Sequence, residues 1–207
     1  MSRVASPPVE AVILARHAES EFSVLGLVSG DPAVAGGGLT PAGREQAREL
    51  GRALAAESID LAVTSEFLRA RETASIALEG RDVPRLVLPE LNDIRFGRYE
   101  GGLLSDYREW ARRAGPSDDC PGGGESRADA ASRFALGFRA ILARPERLAL
   151  VVCHGLPVRY AANAAVGRDP SSTIDPVEYA EAYRLSAEEL DEAADRLEHW
   201  ATAPFFV

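Results

Sequence analysis

Two histidines stand at the ends of apolar runs, and they are the side chains most able to do chemistry. Val9 to Ala15 leads into Arg16-His17, and Leu148 to Cys153 leads into His154-Gly155. An arginine can grip a phosphate with two parallel hydrogen bonds, and a neutral imidazole beside it can attack phosphorus. In open α/β sheets ligands bind outside the carboxyl ends of the strands, so histidines at two such ends can converge on one crevice. The chain has three histidines, and two sit this way. The third, His199 beside Trp200, reads as a packing or surface residue.

Two further segments supply partners. Ser65-Glu66-Phe67-Leu68-Arg69-Ala70-Arg71-Glu72-Thr73-Ala74 follows the short run Leu61 to Thr64. It puts Arg69 on the first turn of a helix, where free backbone N–H groups already favour an anion. Arg71 is expected to point elsewhere. Asp93-Ile94-Arg95-Phe96-Gly97-Arg98-Tyr99-Glu100-Gly101 then brings a carboxylate into a glycine-punctuated loop. Two arginines, two histidines and a carboxylate suit phosphoryl transfer, which asks a protein mainly for positioning and charge stabilisation around the equatorial oxygens.

These residues need a scaffold that presents strand ends. The pattern predicts strands near 9–15, 61–65, 85–88, 148–153 and 179–185, alternating with helices near 41–57, 67–79, 127–143, 157–166 and 187–201. Thr40 can cap the first of these helices, and Pro41 suits its first turn. Such alternation implies an α/β three-layer sandwich, with a mainly parallel central sheet covered by helices on both faces. The whole chain, 1–207, reads as one domain of ordinary length with 46% hydrophobic residues. Residues 101–127, rich in Pro, Gly and Asp, are expected to form a lid or rim, from which Tyr107, Trp110, Arg112 and Arg113 could reach a leaving group.

With these blocks in order, the chain resembles the histidine phosphatase superfamily, which includes cofactor-dependent phosphoglycerate mutases. The matching blocks are Arg16-His17-Ala18-Glu19-Ser20, Leu39 to Ala47, Ser65 to Ala74, Phe96 to Gly101, Gly123-Gly124-Glu125-Ser126, and Cys153-His154-Gly155 continuing to Arg159. The resemblance implies that His17 takes the phosphoryl group onto nitrogen. Arg16, Arg69 and a second, protonated histidine, His154, would hold the non-bridging oxygens. It implies no metal and no cofactor, and no motif here has the spacing of a metal site.

Three positions depart from the family pattern. Ala18 follows the nucleophile where glycine is common, adding a methyl group where backbones approach closely. Ser23 stands where the family has an asparagine phosphate ligand. Asp93 occupies the place of the usual glutamate general acid, three residues before Phe96-Gly97. Glu90 competes with it through the local pattern Leu88-Pro89-Glu90, but lies six before Phe96. Spacing favours Asp93, which would protonate the leaving alkoxide and then deprotonate water.

A net charge of −9 and a pI near 4.9 argue against nucleic acid or an anionic membrane surface as partner, so the cationic residues must form a local pocket for a small phosphorylated substrate. No apolar run approaches the ~20 residues of a membrane span, and Met1 to Pro8 lacks the apolar core of a secretory leader. A cytoplasmic location is expected. Cys120 and Cys153 are expected to be reduced thiols, with Cys153 in the core. The apolar end Pro204-Phe205-Phe206-Val207 either docks on the chain's own core or joins a homodimer contact.

Three functions fit this set: a phosphomonoesterase acting on a small phosphorylated metabolite, a phosphomutase, or a catalytically silent phospholigand-binding module. The family's mutases carry a longer insertion after the acid block than the roughly 25 residues here, which favours hydrolysis.

Overall fold

The computed structural model describes residues 9–173 and 175–206. Met1 to Pro8, Ile174 and Val207 lie outside the described residues, and with them the reading of the N-terminus and of the last residue of the apolar tail.

Four strands, β1 (Ala11–Arg16), β2 (Leu61–Thr64), β3 (Arg85–Val87) and β4 (Leu148–Cys153), are parallel. A fifth, β5 (Ala182–Ser186), runs antiparallel to β1 at one edge, giving the order β3-β2-β4-β1-β5. The central strands read as unbroken apolar runs because both faces of the sheet are covered. Val12, Leu14, Val63, Ala149, Val151 and Cys153 face one core cluster. It is closed by α5 (Arg127–Leu142), α6 (Gly155–Ala165) and α7 (Ala187–Thr202). Ile13, Ala15, Leu148, Leu150 and Val152 face the other, closed by α2 (Pro41–Ala53) and α3 (Leu68–Ala77). This is the expected three-layer arrangement.

Register decides where the chemistry lands. Arg16 pairs with Cys153 across β1 and β4, and His17 N–H donates to the Cys153 carbonyl at 2.8 Å. His17 and His154 therefore leave neighbouring strands at one level.

Helix starts follow their caps. Thr40 Oγ1 accepts from Gly43 N–H at 2.9 Å with Pro41 in the first turn of α2, and Ser126 Oγ accepts from Asp129 N–H to start α5. Ser186 and Glu189 form a reciprocal capping box on α7. Several boundaries shift by two to four residues from expectation, among them those of two helices. Helix α6 begins at Gly155 rather than Pro157, since a proline in the first turn lacks only an N–H that would find no partner there. His154 thereby becomes its N-cap residue. Helix α2 stops at Ala53 rather than 57, because Arg81 donates to the carbonyls of Leu54 and Glu57 and draws the chain out of the helix.

Two short helices, α1 (Glu21–Val24) and α4 (Leu104–Ala111), carry too few turns for periodicity to reveal their limits. Helix α4 lies in the glycine- and proline-rich segment 101–127, which is tied to the acid loop. Cys120 Sγ donates to the Phe96 carbonyl at 3.0 Å, and Arg98 N–H donates to the Pro121 carbonyl at 2.6 Å. Phe206 packs against the main core and Trp200 Nε1–H donates to the Phe205 carbonyl at 2.8 Å, while the Phe205 side chain stays exposed.

One close approach ties α2 to the loop after His17. A Cβ built on Gly43 would collide with the Glu19 carbonyl. Gly43→Ala should thus destabilise the protein by about 1–3 kcal/mol in urea unfolding, the usual range for overpacking. An unchanged midpoint would mean that α2 can move aside freely.

Candidate active site

His17 is 5% exposed, and its Nδ1 lies 2.8 Å from the Ala18 carbonyl. A carbonyl can only accept, so Nδ1 carries the proton and Nε2 keeps its lone pair. Arg69 Nε–H donates to that Nε2 at 3.1 Å. The Nη2 of Arg69 donates to the Ser29 carbonyl at 2.9 Å and to His154 Nδ1 at 3.2 Å. Since His154 Nδ1 accepts, its proton sits on Nε2, which donates to Ser65 Oγ at 2.9 Å. The two rings meet edge to face with centroids 5.3 Å apart.

Asp93 completes the cluster. Its Oδ2 is 3.7 Å from His154 Nδ1 and 3.9 Å from Arg69 Nη2, while Oδ1 accepts from Ile94 N–H. Glu90, the rival carboxylate, makes no contact with this cluster, and among the described residues its buried Oε2 finds no hydrogen-bond partner. Arg133 fixes this loop: it donates to the carbonyls of Glu90, Asn92 and Asp93 and grips both oxygens of buried Glu125. Arg16 lies over the Tyr179 ring at 3.9 Å and donates to the Val177 carbonyl at 2.8 Å.

The electrostatics follow from burial beside cations. Burial, then Arg69 and Arg16, holds the His17 pKa well below the ordinary imidazole value. Burial, Arg69 and then His17 do the same to His154, which also sits at the positive end of α6. These surroundings favour the neutral His154 ring, whose Nδ1 acts as an acceptor; the protonated ring expected of it is one that holds phosphate oxygens. Burial raises the Asp93 carboxyl above its usual range, with Arg69 opposing, so Asp93 holds a proton longer than an exposed aspartate. Burial also lowers Arg69 to about 10, partly offset by Asp93, which leaves it cationic.

Not every expected residue joins this centre. Ser23 is committed to the turn after Ser20: it donates to the Ser20 carbonyl and accepts from Ser20 N–H, each at 2.8 Å, and it does not line the cavity. Arg71 is exposed. The extra methyl of Ala18 is accommodated, fully buried with Leu39 and Ala47. Both cysteines are buried free thiols, with burial pushing Cys120 to about 11 and Cys153 to about 12, so neither offers a thiolate near neutral pH.

The centre opens into a cavity of about 400 Å³ lined by Arg16, His17 and Asp93, and also by Tyr107, Arg112 and Arg127. Trp110 and Arg113 do not line it. Trp110 packs on Tyr99 and Tyr107, and Arg113 pairs with Glu109. A wider groove of about 800 Å³ between α6 and α7, lined by exposed His199 and by Trp200, contains none of the clustered residues. Among the described residues no group of three or more His, Cys, Asp or Glu side chains is placed to hold a metal ion, and no helix is long and apolar enough to cross a membrane.

Sequence reasoning missed Ser65, Arg133 and Arg127. Ser65 opens the block Ser65 to Ala74, where the residue pattern gives it no role. Arg133 and Arg127 sit on an ordinary amphipathic helix, where only tertiary contacts distinguish them from surface charges.

Comparison with known proteins agrees with this geometry. Residues 12–202 match the model of the histidine phosphatase superfamily (branch 1). The adenosylcobalamin/alpha-ribazole phosphatase of Salmonella typhimurium strain LT2 is 47% identical over 87 residues, an alignment spanning 42% of this chain and 42% of that protein. A 2,3-bisphosphoglycerate-dependent phosphoglycerate mutase of Methylobacterium sp. strain 4-46 is 35% identical over 167 residues, spanning 72% of this chain and 76% of that protein. The crystal structure of the alpha-ribazole phosphatase from Shigella flexneri superposes with a TM-score of 0.66 at 30% identity, covering 76% of this chain and 80% of that one.

Both histidines have depressed pKa values when folded, so the unfolded chain binds protons that the native state refuses below about pH 6.5. Their stabilising contribution is in place above that pH and is lost as pH falls, by at most about 1.4 kcal/mol per pH unit for each ring. Asp93, shifted upward, acts in the opposite sense from about pH 3.9 upward. Urea unfolding at pH 7.5 and pH 5.5 should show a loss on acidification that flattens in a His17→Gln/His154→Gln variant. Equal pH slopes for the two proteins would place the destabilising protons elsewhere.

Proposed function

The chain belongs to the histidine phosphatase superfamily, and from that premise we propose that it is a phosphomonoesterase acting on a small phosphorylated metabolite through a phosphohistidine on His17. The observation that carries this proposal is the tautomer of His17. Its Nδ1–H is held by the Ala18 carbonyl, which leaves the Nε2 lone pair facing Arg69 inside the cationic centre.

In the first step Nε2 attacks phosphorus and the bond from phosphorus to the ester oxygen breaks. Arg69 and Arg16 stabilise the charge on the equatorial oxygens, a role that calls for no metal ion. His154, neutral beside Arg69, gains a reason to take a proton only when a phosphate dianion offsets the neighbouring guanidiniums. Asp93, with its raised pKa, protonates the departing alkoxide. In the second step the Asp93 carboxylate takes a proton from water, which attacks the phosphohistidine to release inorganic phosphate and return His17 to its starting tautomer. Residues 1–207 form one domain in this proposal, with 101–127 as the rim over the leaving group.

A phosphomutase is the second reading, favoured by the mutase-named relative matching 72% of this chain against 42% for the Salmonella phosphatase. The two differ in the fate of the phosphoryl group, which passes to water in one and back to a hydroxyl of the product in the other.

Purified protein should release inorganic phosphate from 4-nitrophenyl phosphate in EDTA, with inhibition by vanadate and loss of turnover in His17→Ala. Asp93→Asn should slow phosphoenzyme formation from alkyl phosphates far more than from nitrophenyl phosphate, because nitrophenolate leaves without a proton. Rapid-quench measurement reads that step; an equal loss on both esters would remove Asp93 from the role, and full activity in His17→Ala would falsify the phosphohistidine.

Arg69→Ala should cost about 100-fold in rate or more, a typical loss for a donor that stabilises transition-state charge. Exposed Arg71→Ala should stay within a few fold of the parent. The reverse ranking in steady-state kinetics would overturn the assigned clamp.

A further inference from the structure

The two arginines of the catalytic centre are held in the same way, by groups that carry no charge. Arg69 lies over the Phe67 ring, with its guanidinium carbon 4.1 Å from the ring centre, and its Nη2 donates to the Ser29 carbonyl at 2.9 Å. Arg16 lies over the Tyr179 ring at 3.9 Å, and its Nη1 donates to the Val177 carbonyl at 2.8 Å. Among the described residues Arg16 forms no ion pair, and the carboxylate beside Arg69, that of Asp93, stops 3.9 Å away. A carboxylate in hydrogen-bond contact would neutralise the charge that an incoming anion is to meet. A ring face and a carbonyl orient a guanidinium and leave that charge in place.

Of the two rings, Phe67 is 3% exposed and also meets His154 edge to face at 4.8 Å, so its loss would disturb the core as well as Arg69. Tyr179 is half-buried and lies in the connection between α6 and β5, outside every motif block. That connection grips Arg16 twice, since Ala180 N–H also donates to the Arg16 carbonyl at 3.0 Å. Ala180 has a φ of +55°, the one non-glycine residue in the left-handed region among those described. The turn leaves the Tyr179 ring over the guanidinium and lets the chain enter β5 beside β1. Backbone strain of this kind persists only where the surroundings impose it, and it collects at functional sites. Arg159 on α6 pins the stretch just before, donating to the carbonyls of Asp175 and Pro176.

We propose that Tyr179 is a positioning residue for the phosphate clamp: its ring face and the Val177 carbonyl fix the plane of the Arg16 guanidinium, so that the donors left over meet the phosphate oxygens. This rests on the phosphomonoesterase proposal above, which gives Arg16 its role. A guanidinium is a rigid fork of N–H donors, and Val177 takes only the Nη1 side of it. Without the ring the side chain keeps a single hydrogen bond, about which its plane can swing. Tyr179 does not line the cavity, and its ring centre is 6.1 Å from that of His17, so it acts through Arg16. The face of its π-system holds the cation, and the hydroxyl has no part in this.

The test varies residue 179 in the full chain and reads kcat/KM for 4-nitrophenyl phosphate together with calorimetric binding of inorganic phosphate. Tyr179→Phe should stay close to the parent. Tyr179→Leu should lose about 3- to 30-fold in kcat/KM, the range expected of a cation over an aromatic face, with a parallel loss of phosphate affinity. Incorporating 4-fluoro-, 3,5-difluoro- and 3,4,5-trifluorophenylalanine at 179 withdraws electron density from the ring face with little change of shape, and both quantities should fall stepwise along the series. These rings keep the volume of phenylalanine, so the series decides the matter even where leucine disturbs packing. In an Arg16→Met background Tyr179→Leu should cause no further loss, because the ring then has no cation to hold. A flat fluorine series, or an equal loss from Tyr179→Leu with and without Arg16, overturns the positioning role. Phosphate binding needs no turnover, so a stepwise fall in affinity in a protein that hydrolyses no ester would keep the positioning role and remove the catalytic proposal instead.

Discussion

Arg69 is the residue through which both histidines are organised. One guanidinium, 5% exposed, bonds the Nε2 of His17, the Nδ1 of His154 and the Ser29 carbonyl. A cation in that position is costly to bury, and its own pKa is lowered to about 10 for this reason. What offsets the cost is a set of acceptors with fixed protonation: two imidazoles kept neutral by the same charge, and Asp93 just beyond hydrogen-bond range. An anion entering the centre would meet charge already in place, with little reorganisation left to do.

Much of the surrounding sequence serves to hold this arrangement still. Thr73 Oγ1 accepts from Ala18 N–H at 3.0 Å and donates to the Arg69 carbonyl at 2.7 Å, joining the residue after His17 to the helix that carries Arg69. Glu19 is bound through its N–H to Gln46 and through its carboxylate to Thr40, and Glu72 accepts from Leu39 N–H. On the other side, the Glu125–Arg133 pair ties the start of α5 to three carbonyls of the acid loop. These polar side chains lie in the blocks that resemble the family or beside them. Their work is to fix backbone, since a misplacement of even an ångström at a reacting centre can cost orders of magnitude in rate.

The acidic character of the chain and the cationic character of its cavity act over different distances. Exposed carboxylates are screened within about 8–10 Å at ordinary ionic strength. The guanidiniums in and beside the cavity work at contact range in a water-poor setting, where their fields are screened much less. A molecule with net charge −9 can for this reason hold anions at one place while repelling polyanions elsewhere.

The linear sequence by itself determined the layered α/β fold and which residues could do chemistry. Unbroken apolar runs mark strands covered on both faces, and a rare histidine at the end of such a run has few other uses. The three-residue step from Asp93 to Phe96 also separated it from Glu90. Spacing along the chain carries this much because strand ends and tight loops are local features. Tertiary structure alone decided how the groups meet. The pairing of Arg16 with Cys153 brings the histidines level, and the Ala18 carbonyl and the Arg69 guanidinium set their tautomers. The burial that favours a neutral His154 ring depends on helices packed over both sheet faces. Ser65 and Arg133 acquire meaning only from partners far away in sequence. Protonation state and hydrogen-bond satisfaction depend on the dielectric and the acceptors around a group, and neither exists until the chain has folded.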